Sequence, residues 1–285
     1  MAVMLDYQVR PAIPGDHNQL SHLISNGSFV HRHLDWRTPL EWIGFPPYFV
    51  IEQKGQIEAV LACPPDPPLI AWVRVFATIG EFSAEHAWNI LWSNVLRMME
   101  RRGGSKVAVI VLQNWFQEIL EYCGFACQQE IVMLTWMGKE IPEVNMPARF
   151  QIREMVEKDL QRVAELDAIA FDPLWQNSSS GLRKAFQQAA LATTVEDNGV
   201  IVGYQISTKN LLGGHLARLA VDPAMQGKGI GYSLVSDMIQ KLDRIDVTNI
   251  TVNTQSDNST SLALYKRIGF RETGDRYPVF TYDVK

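Results

Sequence analysis

An internal repeat, with an offset of about 144 residues, is the feature that most limits how the chain can fold. Residues 49–62 read FVIEQKGQIEAVLA and residues 193–207 read TTVEDNGVIVGYQIS. Lys54-Gly55 and Asn198-Gly199 stand at the centres of these two segments, and such dipeptides between apolar runs predict β-hairpins. The 285 residues therefore predict two copies of one unit, and a hydrophobic content of 47% is enough for each copy to bury a core.

Other segments recur at the same offset and in the same order. They are a strand at 72–77 and 216–221, a helix at 84–101 and after 229, a strand at 107–112 and 250–254, and a Gly-Phe pair at 124–125 and 269–270. Between the copies, Pro142, Pro147 and polar residues interrupt any pattern near Gly138 to Ala148, which indicates a linker. We predict a first domain over residues 1–140 and a second over residues 149–285.

Residues 216–231, LARLAVDPAMQGKGIG, are typical of a strand, a sharp turn and a glycine-rich loop that opens a helix. The glycines Gly227, Gly229 and Gly231 let the backbone approach a ligand closely, and Lys228 adds a positive charge. The free N–H groups and the dipole of a helix N-terminus favour an anion. The pattern predicts a phosphate site, and the alternative is a glycine-rich turn without a ligand.

The loop has the form Q-x-x-G-x-G, which is neither a P-loop nor a Rossmann fingerprint. With LAVDP before it, the loop resembles the pyrophosphate loop of the GNAT superfamily of acetyl-CoA-dependent N-acetyltransferases. Residues 258–270, NSTSLALYKRIGF, are similar to the second GNAT signature, N-x-x-A-x-x-L-Y-x-x-x-G-F, with Ser261 in place of Ala. The tandem layout resembles that of mycothiol synthases, whose first unit is degenerate.

The resemblance implies an α+β fold of two tandem GNAT-like units, each a mixed, mostly antiparallel sheet flanked by helices. It implies acetyl-CoA as co-substrate, with Asn258 in contact with the coenzyme and Tyr265 as general acid to the CoA thiolate. The pantetheine arm would lie along the backbone of Leu219, Ala220 and Val221. The pyrophosphate would lie on the loop and the start of the next helix, at Gln226, Gly227, Lys228, Gly229, Ile230, Gly231 and Tyr232.

The first copy lacks these features. The loop aligns with Phe82 to Ala87, which has no glycine and carries Glu85, and Tyr265 aligns with Leu120. Because Glu85 would repel a phosphate, we predict that the first unit has lost its cofactor site. Seven of the eight tryptophans lie in the first half, namely Trp36, Trp42, Trp72, Trp88, Trp92, Trp115 and Trp136. They indicate either a bulky core that fills an old cleft or an aromatic-lined pocket.

Strict alternation along the strand before the loop predicts which side chains share a face. One face would carry His215, Ala217, Leu219 and Val221, and the other would carry Leu216, Arg218 and Ala220. In GNAT-like families the segment between the first two helices commonly walls the acceptor site. Phe171 and Trp175 are therefore candidates for shaping the acceptor pocket, and the alternative is that they only anchor a loop.

The general base is not defined by the motifs. In GNAT members that acetylate protein N-termini, a Glu stands five residues before the signature Asn, and that position is Asn253 here. An amide cannot accept a proton at neutral pH, so the base would be His215, Glu196, Asp222 or an ordered water.

Composition and charge limit the kinds of partner that the protein can have. A net charge of −5 without a basic block argues against a nucleic-acid partner. The sequence contains no run of ~18 apolar residues, and this argues against a membrane-spanning segment. The start of the chain has no signal-peptide pattern, and the cysteines, Cys63, Cys123 and Cys127, have no metal-site spacing, which predicts a reduced, cytoplasmic protein.

We predict an N-acetyltransferase that moves the acetyl group of acetyl-CoA to the amine of a small molecule or peptide, as a monomer or homodimer. Two alternatives stay open at this point. One is a non-catalytic acyl-CoA sensor, and the other is an interaction module whose Trp-rich half docks a partner.

Overall fold

The computed structural model describes residues 7–80, 82–103, 106–138, 140, 142–144 and 146–284. The chain divides into two compact units. The first unit runs to Gln128 and includes the chain from Pro278 onward, and the second unit is Gln129–Tyr277.

The first unit contains strands of one antiparallel sheet and a second set of strands that includes a parallel pair. Its elements are β1 (Gln8–Pro11), α1 (His17–Asn26), β2 (Phe29–Arg32), β3 (Tyr48–Gln53), β4 (Gln56–Ala62), β5 (Ile70–Trp72), β6 (Val75–Thr78), α2 (Ala84–Glu100), β7 (Lys106–Ile110) and α3 (Asn114–Tyr122). The antiparallel sheet has the order β1-β3-β4-β6-β2. Strand β5 lies parallel to β7, which pairs antiparallel with Val279–Asp283 near the end of the chain.

The tryptophans of the first half fill space inside the protein. Trp42, Trp72, Trp88 and Trp92 are buried, and Trp36, Trp115 and Trp136 are half-buried. Trp88 is fully buried and stacks on Trp92, with ring centroids 5.5 Å apart. The bulky-core interpretation therefore accounts for these seven tryptophans, all of which the structure describes, and none of them is exposed as the interaction module would require.

The second unit is a mostly antiparallel sheet flanked by helices, in agreement with the predicted α+β fold. Its elements are β8 (Ala126–Trp136), β9 (Phe150–Glu154), α4 (Leu160–Ala170), α5 (Ser179–Gln188), β10 (Leu191–Asp197), β11 (Val200–Asn210), β12 (Gly213–Val221), α6 (Ile230–Asp243), β13 (Ile250–Gln255), α7 (Ser259–Ile268) and β14 (Phe270–Asp283). The strand order is β14-β8-β13-β12-β11-β10-β9, and β12 with β13 is the parallel pair. No helix among the described residues is long and apolar enough to cross a bilayer.

The predicted domain ranges, 1–140 and 149–285, stay a prediction, and the borders of the compact units lie elsewhere, at Gln128 and Tyr277. Strand β8 starts before Gln129 and β14 continues past Tyr277, so each strand has residues in both units. Pairing explains the difference: residues 131–135 pair with β13 in the second unit, whereas residues 279–283 pair with β7 in the first. Hydrophobic periodicity identifies a strand but does not say which neighbour it pairs with.

The repeat predicted from the sequence is present in the structure. The turn residues Lys54 and Asn198 both have φ of 51°, and each is followed by a glycine with positive φ, as type I′ hairpin turns require. The parallel pairs also correspond, because residues 70–72 pair with 106–108 and residues 214–216 pair with 250–252. The turn residues and the parallel pairs of the first unit each lie 144 residues before their counterparts in the second unit.

Each unit also holds the same ion triad near its first strand. In the second unit Arg153 donates to Asp159, with Nη1–Oδ2 at 2.6 Å, and to Glu196, with Nε–Oε1 at 2.8 Å. In the first unit Arg10, Asp16 and Glu52 form the same set of bonds, with Nη1–Oδ2 at 2.7 Å and Nε–Oε2 at 2.6 Å. The hydrogen bond from Arg153 holds the pKa of Asp159 below its usual value. The triad therefore ties β9 to the start of the first helix of the second unit.

A β-bulge at Ala217 makes the predicted alternation of β12 wrong. Leu216 and Arg218 pair with adjacent residues of β11, so Ala217 is an extra residue in the strand. Because of the bulge, the Leu216 side chain lies on the same face of the sheet as those of Leu219 and Val221, and Arg218 lies on the opposite face. The Arg218 side chain lies instead on the face covered by α4.

We expect Asp159→Asn to lower the free energy of unfolding by about 1–2 kcal/mol at pH 7, because it leaves Arg153 without its buried carboxylate partner. The lowered pKa means that the carboxylate stabilises the fold above about pH 4 and that this contribution is lost as the pH falls further. Thermal unfolding at pH 7 and pH 3 would test this, with Asp16→Asn as the matched variant in the first unit. An equal gap between wild type and Asp159→Asn at both pH values would contradict it.

Candidate active site

Strands β12 and β13 separate part of the way along their length. They pair from Gly214 to Leu216 on β12, and within the described chain no β12–β13 pairing follows. Beyond that point the pairing of the described residues continues between β12 and β11 as far as Val221, and between β13 and β8 as far as Gln255. The edge of β12 from Leu219 to Val221 therefore faces the gap with backbone groups that no neighbouring strand uses.

The glycine loop closes one end of this gap. Gly227 and Gly229 have φ of 76° and 81°, in the left-handed region that favours glycine, and Gly229 is the cap of α6. The cap residue of α6 is a glycine, so it offers no side-chain acceptor to the N–H groups of the first turn. A Cβ at Gly231 would lie 3.3 Å from Leu264 on α7, so the glycine allows α6 and α7 to pack closely.

The remaining loop residues hold the turn in place. The Gln226 amide Nε2 donates to the carbonyl of Val221 at 3.4 Å, and Lys228 Nζ donates to the carbonyl of Ala224 at 3.3 Å. Both side chains are exposed, and the Tyr232 ring lies under the guanidinium of Arg267, 5.1 Å from its carbon. The loop thus presents one cation and an uncapped helix start at the same place.

The two signature residues of α7 lie about two helical turns apart. Asn258 caps the helix, because its Oδ1 accepts a hydrogen bond from the backbone of Ser261 at 3.0 Å. Tyr265 is 4% exposed and belongs to the core cluster that also contains Leu216 of β12 and Val252 of β13. Burial raises the pKa of the Tyr265 phenol above its ordinary value, so the hydroxyl keeps its proton at neutral pH.

A cavity of about 400 Å³ lies next to Asn258. It is lined by Gln129, Ile169, Ala170, Phe171, Asp172, Trp175, Gln255, Asp257 and Asn258. The segment predicted to shape an acceptor pocket therefore does line a cavity, through Phe171 and Trp175. A larger cavity, of about 660 Å³, lies at the C-terminal end of α7 and is lined by none of the predicted site residues.

Gln129, Asp172 and Asp257 line the smaller cavity although the sequence did not single them out. Gln129 accepts from Trp175 Nε1 at 3.0 Å and donates to Asp257 at 3.3 Å, so it joins two sides of the cavity. Gln129 belongs to β8, which precedes the second repeat in sequence, and no spacing signal could have placed it here. Asp172 follows Phe171 and Asp257 precedes Asn258, so each is adjacent to a residue that the sequence did single out.

Comparison with known proteins identifies the family. Residues 165–279 match the acetyltransferase (GNAT) domain family. The N-alpha-acetyltransferase RimI of Mycobacterium tuberculosis is 30% identical over 131 residues, which cover 44% of this chain and 80% of that enzyme. The chain belongs to the GNAT family of N-acetyltransferases.

Two further proteins are similar to this chain. The mycothiol acetyltransferase of Renibacterium salmoninarum is 24% identical over 172 residues, which are 54% of this chain and 51% of that protein. A tandem GNAT protein from the clavulanic acid biosynthesis pathway has the same fold, with a TM-score of 0.68 and 14% identity. That likeness covers 98% of this chain and 99% of the other, so it extends through both units.

In the first unit, a strand of the same unit covers the edge that corresponds to the open edge of β12. Strand β2 pairs with Val75, Phe76, Ala77 and Thr78 of β6, whose equivalents at the repeat offset are residues 219–222. The helix start is filled as well, because the Ser83 hydroxyl accepts a hydrogen bond from the backbone of His86 at the start of α2. The chain's own groups thus occupy both positions that are open in the second GNAT unit.

All three candidate bases make hydrogen bonds, and for two of them the bonds belong to a local structural motif. Glu196 belongs to the Arg153 triad, and Asp222 accepts from the backbone of Ala224 at 3.0 Å where the strand turns. His215 lies on the β12 face that also carries Arg218, with its Nδ1 2.9 Å from the Thr251 hydroxyl. Burial lowers the pKa of His215, although a hydrogen bond with Asn253 opposes this, so the imidazole is neutral at pH 7.

Proposed function

We propose that the second unit of this GNAT protein transfers the acetyl group of acetyl-CoA to a primary amine, and that the first unit binds no coenzyme. The observation that carries the proposal is the open edge of β12 next to the uncapped start of α6. An open edge offers backbone groups to the amides of a pantetheine arm, and an uncapped helix start offers N–H groups to a diphosphate. The matching positions in the first unit are filled by its own chain.

In the proposed reaction a neutral amine attacks the thioester carbonyl carbon. A C–N bond forms as the C–S bond breaks, the surplus proton of the amine passes to a base, and the leaving thiolate takes a proton. Backbone N–H groups of the open edge near Val221 would stabilise the negative charge that develops on the carbonyl oxygen. The coenzyme would lie along residues 219–221, with its diphosphate on residues 226–232 and Asn258 beside it.

We assign the proton donation to Tyr265. Its hydroxyl is protonated at neutral pH because burial raises its pKa. The same low-polarity surroundings raise the pKa of the thiol that forms, so the pKa values of the proton donor and of the proton acceptor shift in the same direction. Tyr265 belongs to the same core cluster as residues of β12 and β13, the two strands that separate, and this supports the assignment.

We assign the role of base to His215, acting on the amine directly or through one water. A neutral imidazole can accept a proton, and its lowered pKa keeps it neutral down to mildly acidic pH. Asn253, which stands where some family members have a Glu, hydrogen-bonds to His215 and would orient the ring. The Asn at this position therefore does not by itself favour the acyl-CoA sensor.

The proposed acceptor is the amine of a small molecule or peptide that enters the cavity beside Phe171 and Trp175. Asp172 and Asp257 give the cavity two carboxylates, which attract the ammonium form of an amine. A volume of about 400 Å³ falls within the usual size of small-molecule sites. Relatives of this chain act on both kinds of amine, according to names such as ribosomal protein bS18-alanine N-acetyltransferase and mycothiol acetyltransferase.

Tyr265→Phe tests the activity. We expect amine-dependent CoA release to fall about 100-fold because the proton donor is lost, with the Kd for acetyl-CoA changed less than twofold. The assay would use polyamines, aryl-alkylamines, amino acids and peptides as acceptors, with Tyr277→Phe, which lines neither cavity, as control. Bound acetyl-CoA without any release would favour the sensor, and a wild-type protein that does not bind acetyl-CoA would contradict the proposal.

His215→Gln tests the base. In wild type we expect kcat/KM to fall as the pH drops through an apparent pKa below 6.5, since protonated imidazole cannot accept a proton. In the variant, kcat/KM should be about 100-fold lower, and the fall of kcat/KM at acidic pH should disappear. The exposed His22→Gln in the first unit is the control. An unchanged acidic limb in His215→Gln would assign the limb to another group.

Gly229→Ala tests the coenzyme loop. A left-handed φ of 81° costs an alanine about 1–2 kcal/mol, and relaxation of that strain should move the N–H groups at the start of α6. We expect about a tenfold weaker affinity for acetyl-CoA by calorimetry. Gly199→Ala is the matched control, because its φ is also 81° but it lies in the β10–β11 turn. Equal losses of affinity in the two variants would mean that strain alone, and not the loop, is responsible.

A further inference from the structure

A buried ion pair lies behind the cavity. Asp167 on α4 is completely buried, and Arg218 on β12 donates two hydrogen bonds to its carboxylate, from Nε at 2.7 Å and from Nη2 at 2.8 Å. The side chain of Arg218 is itself 13% exposed. Planar, two-point pairing of this kind fixes orientation as well as charge, and a lysine could not reproduce it.

Two further groups donate hydrogen bonds to the Asp167 carboxylate. The hydroxyl of Tyr204 on β11 donates to it, and so does the backbone N–H of Asn177 at 2.9 Å. Tyr204 is fully buried, and burial raises the pKa of its phenol well above the ordinary value, so it remains a donor. Because every donor is in place, the charge of Asp167 can remain in the interior.

The ion pair also fixes residues 171–177, which we call the acceptor segment. Arg218 Nη2 donates to the carbonyl of Trp175 at 2.7 Å, and the guanidinium carbon lies 3.5 Å from the centroid of the Phe171 ring. The bond from Asn177 to Asp167 is a third attachment, at the far end of the segment. Phe171, Asp172 and Trp175 of this segment line the cavity.

The arrangement depends on the bulge at Ala217. Without the extra residue, Arg218 would lie on the opposite face of the sheet, and it could not reach α4. Arg218 directly precedes Leu219, where the open edge of β12 begins. One side chain thus connects the strand that carries the proposed coenzyme edge to the segment that lines the cavity.

We propose that Arg218 and Asp167 are positioning residues that set the wall of the acceptor pocket through the acceptor segment. The proposal rests on the function proposed above, because it assumes that the amine enters this cavity. The pair touches the wall and not the loop at the start of α6, so it should govern the affinity for the amine and not that for acetyl-CoA.

The first unit provides a matched position. Arg74, which corresponds to Arg218 at the repeat offset, is buried and donates to Asp35 at 3.1 Å and to the carbonyl of Asp66 at 3.2 Å. Its guanidinium carbon also lies 4.6 Å from the centroid of an aromatic ring, that of Trp42. A variant at Arg74 therefore disturbs a similar buried ion pair in the unit that we propose to be inactive.

The test compares Arg218→Lys, Asp167→Asn and Arg74→Lys by steady-state kinetics with both substrates varied. We expect the first two variants to raise the KM for the amine about tenfold while the KM for acetyl-CoA changes less than twofold, because only the acceptor geometry is disturbed. Arg74→Lys should change neither KM. An unchanged amine KM in Arg218→Lys, or equal increases for both substrates, would overturn the proposal.

Two further measurements keep the test decisive. If Arg218→Lys does not fold, Phe171→Leu removes the ring under the guanidinium at a half-buried site and should also raise the amine KM alone. Amide hydrogen exchange without substrates should become faster across residues 171–177 in Arg218→Lys but not in Arg74→Lys. This exchange measurement needs no activity, so it can fail or succeed independently of the proposed acetyl transfer.

Discussion

The separation of β12 from β13 is the constraint on which the rest of the second unit depends. Backbone groups at a strand edge need partners, and a fold that leaves such an edge open next to an uncapped helix has two sets of donors directed to one place. The loop at this place needs glycines. Gly227 and Gly229 have left-handed φ angles, and Gly231 has no side chain that would keep α6 away from α7. The bulge at Ala217 follows as well, since it turns Arg218 toward the helix that carries the cavity wall.

The first unit shows what the same fold does when that requirement is removed. It keeps the hairpin turn, the parallel pair, the ion triad and the buried arginine of the second unit. Strand β2, however, lies along the edge that corresponds to residues 219–222, and the Ser83 hydroxyl caps the helix start. In the first unit an internal strand and a side-chain cap thus bond to backbone groups whose counterparts, in the function proposed above, bond to the coenzyme.

The fold, and the loop and helix that we propose to bind the coenzyme, could be predicted from the sequence because short motifs specify their local structure. Turn dipeptides such as Asn198-Gly199 and the two signatures fix local geometry within a few residues. The lining of the smaller cavity, which we propose to receive the amine, could not be predicted in the same way. Gln129 reaches the cavity from a strand that pairs across the sheet, and the bulge at Ala217 comes from pairing and not from a visible sequence signal. Both depend on long-range register, which a single sequence does not specify.

Amide hydrogen exchange of the whole chain, with and without acetyl-CoA, tests the central claim most directly. If the open edge and loop of the second unit receive the coenzyme, residues 219–221 and 227–232 should become protected, because their N–H groups acquire hydrogen-bond partners. The counterparts in the first unit, residues 75–78 and 84–87, should exchange at the same rate in both samples. Protection in the first unit, or no protection at residues 219–221 with acetyl-CoA bound, would contradict the account.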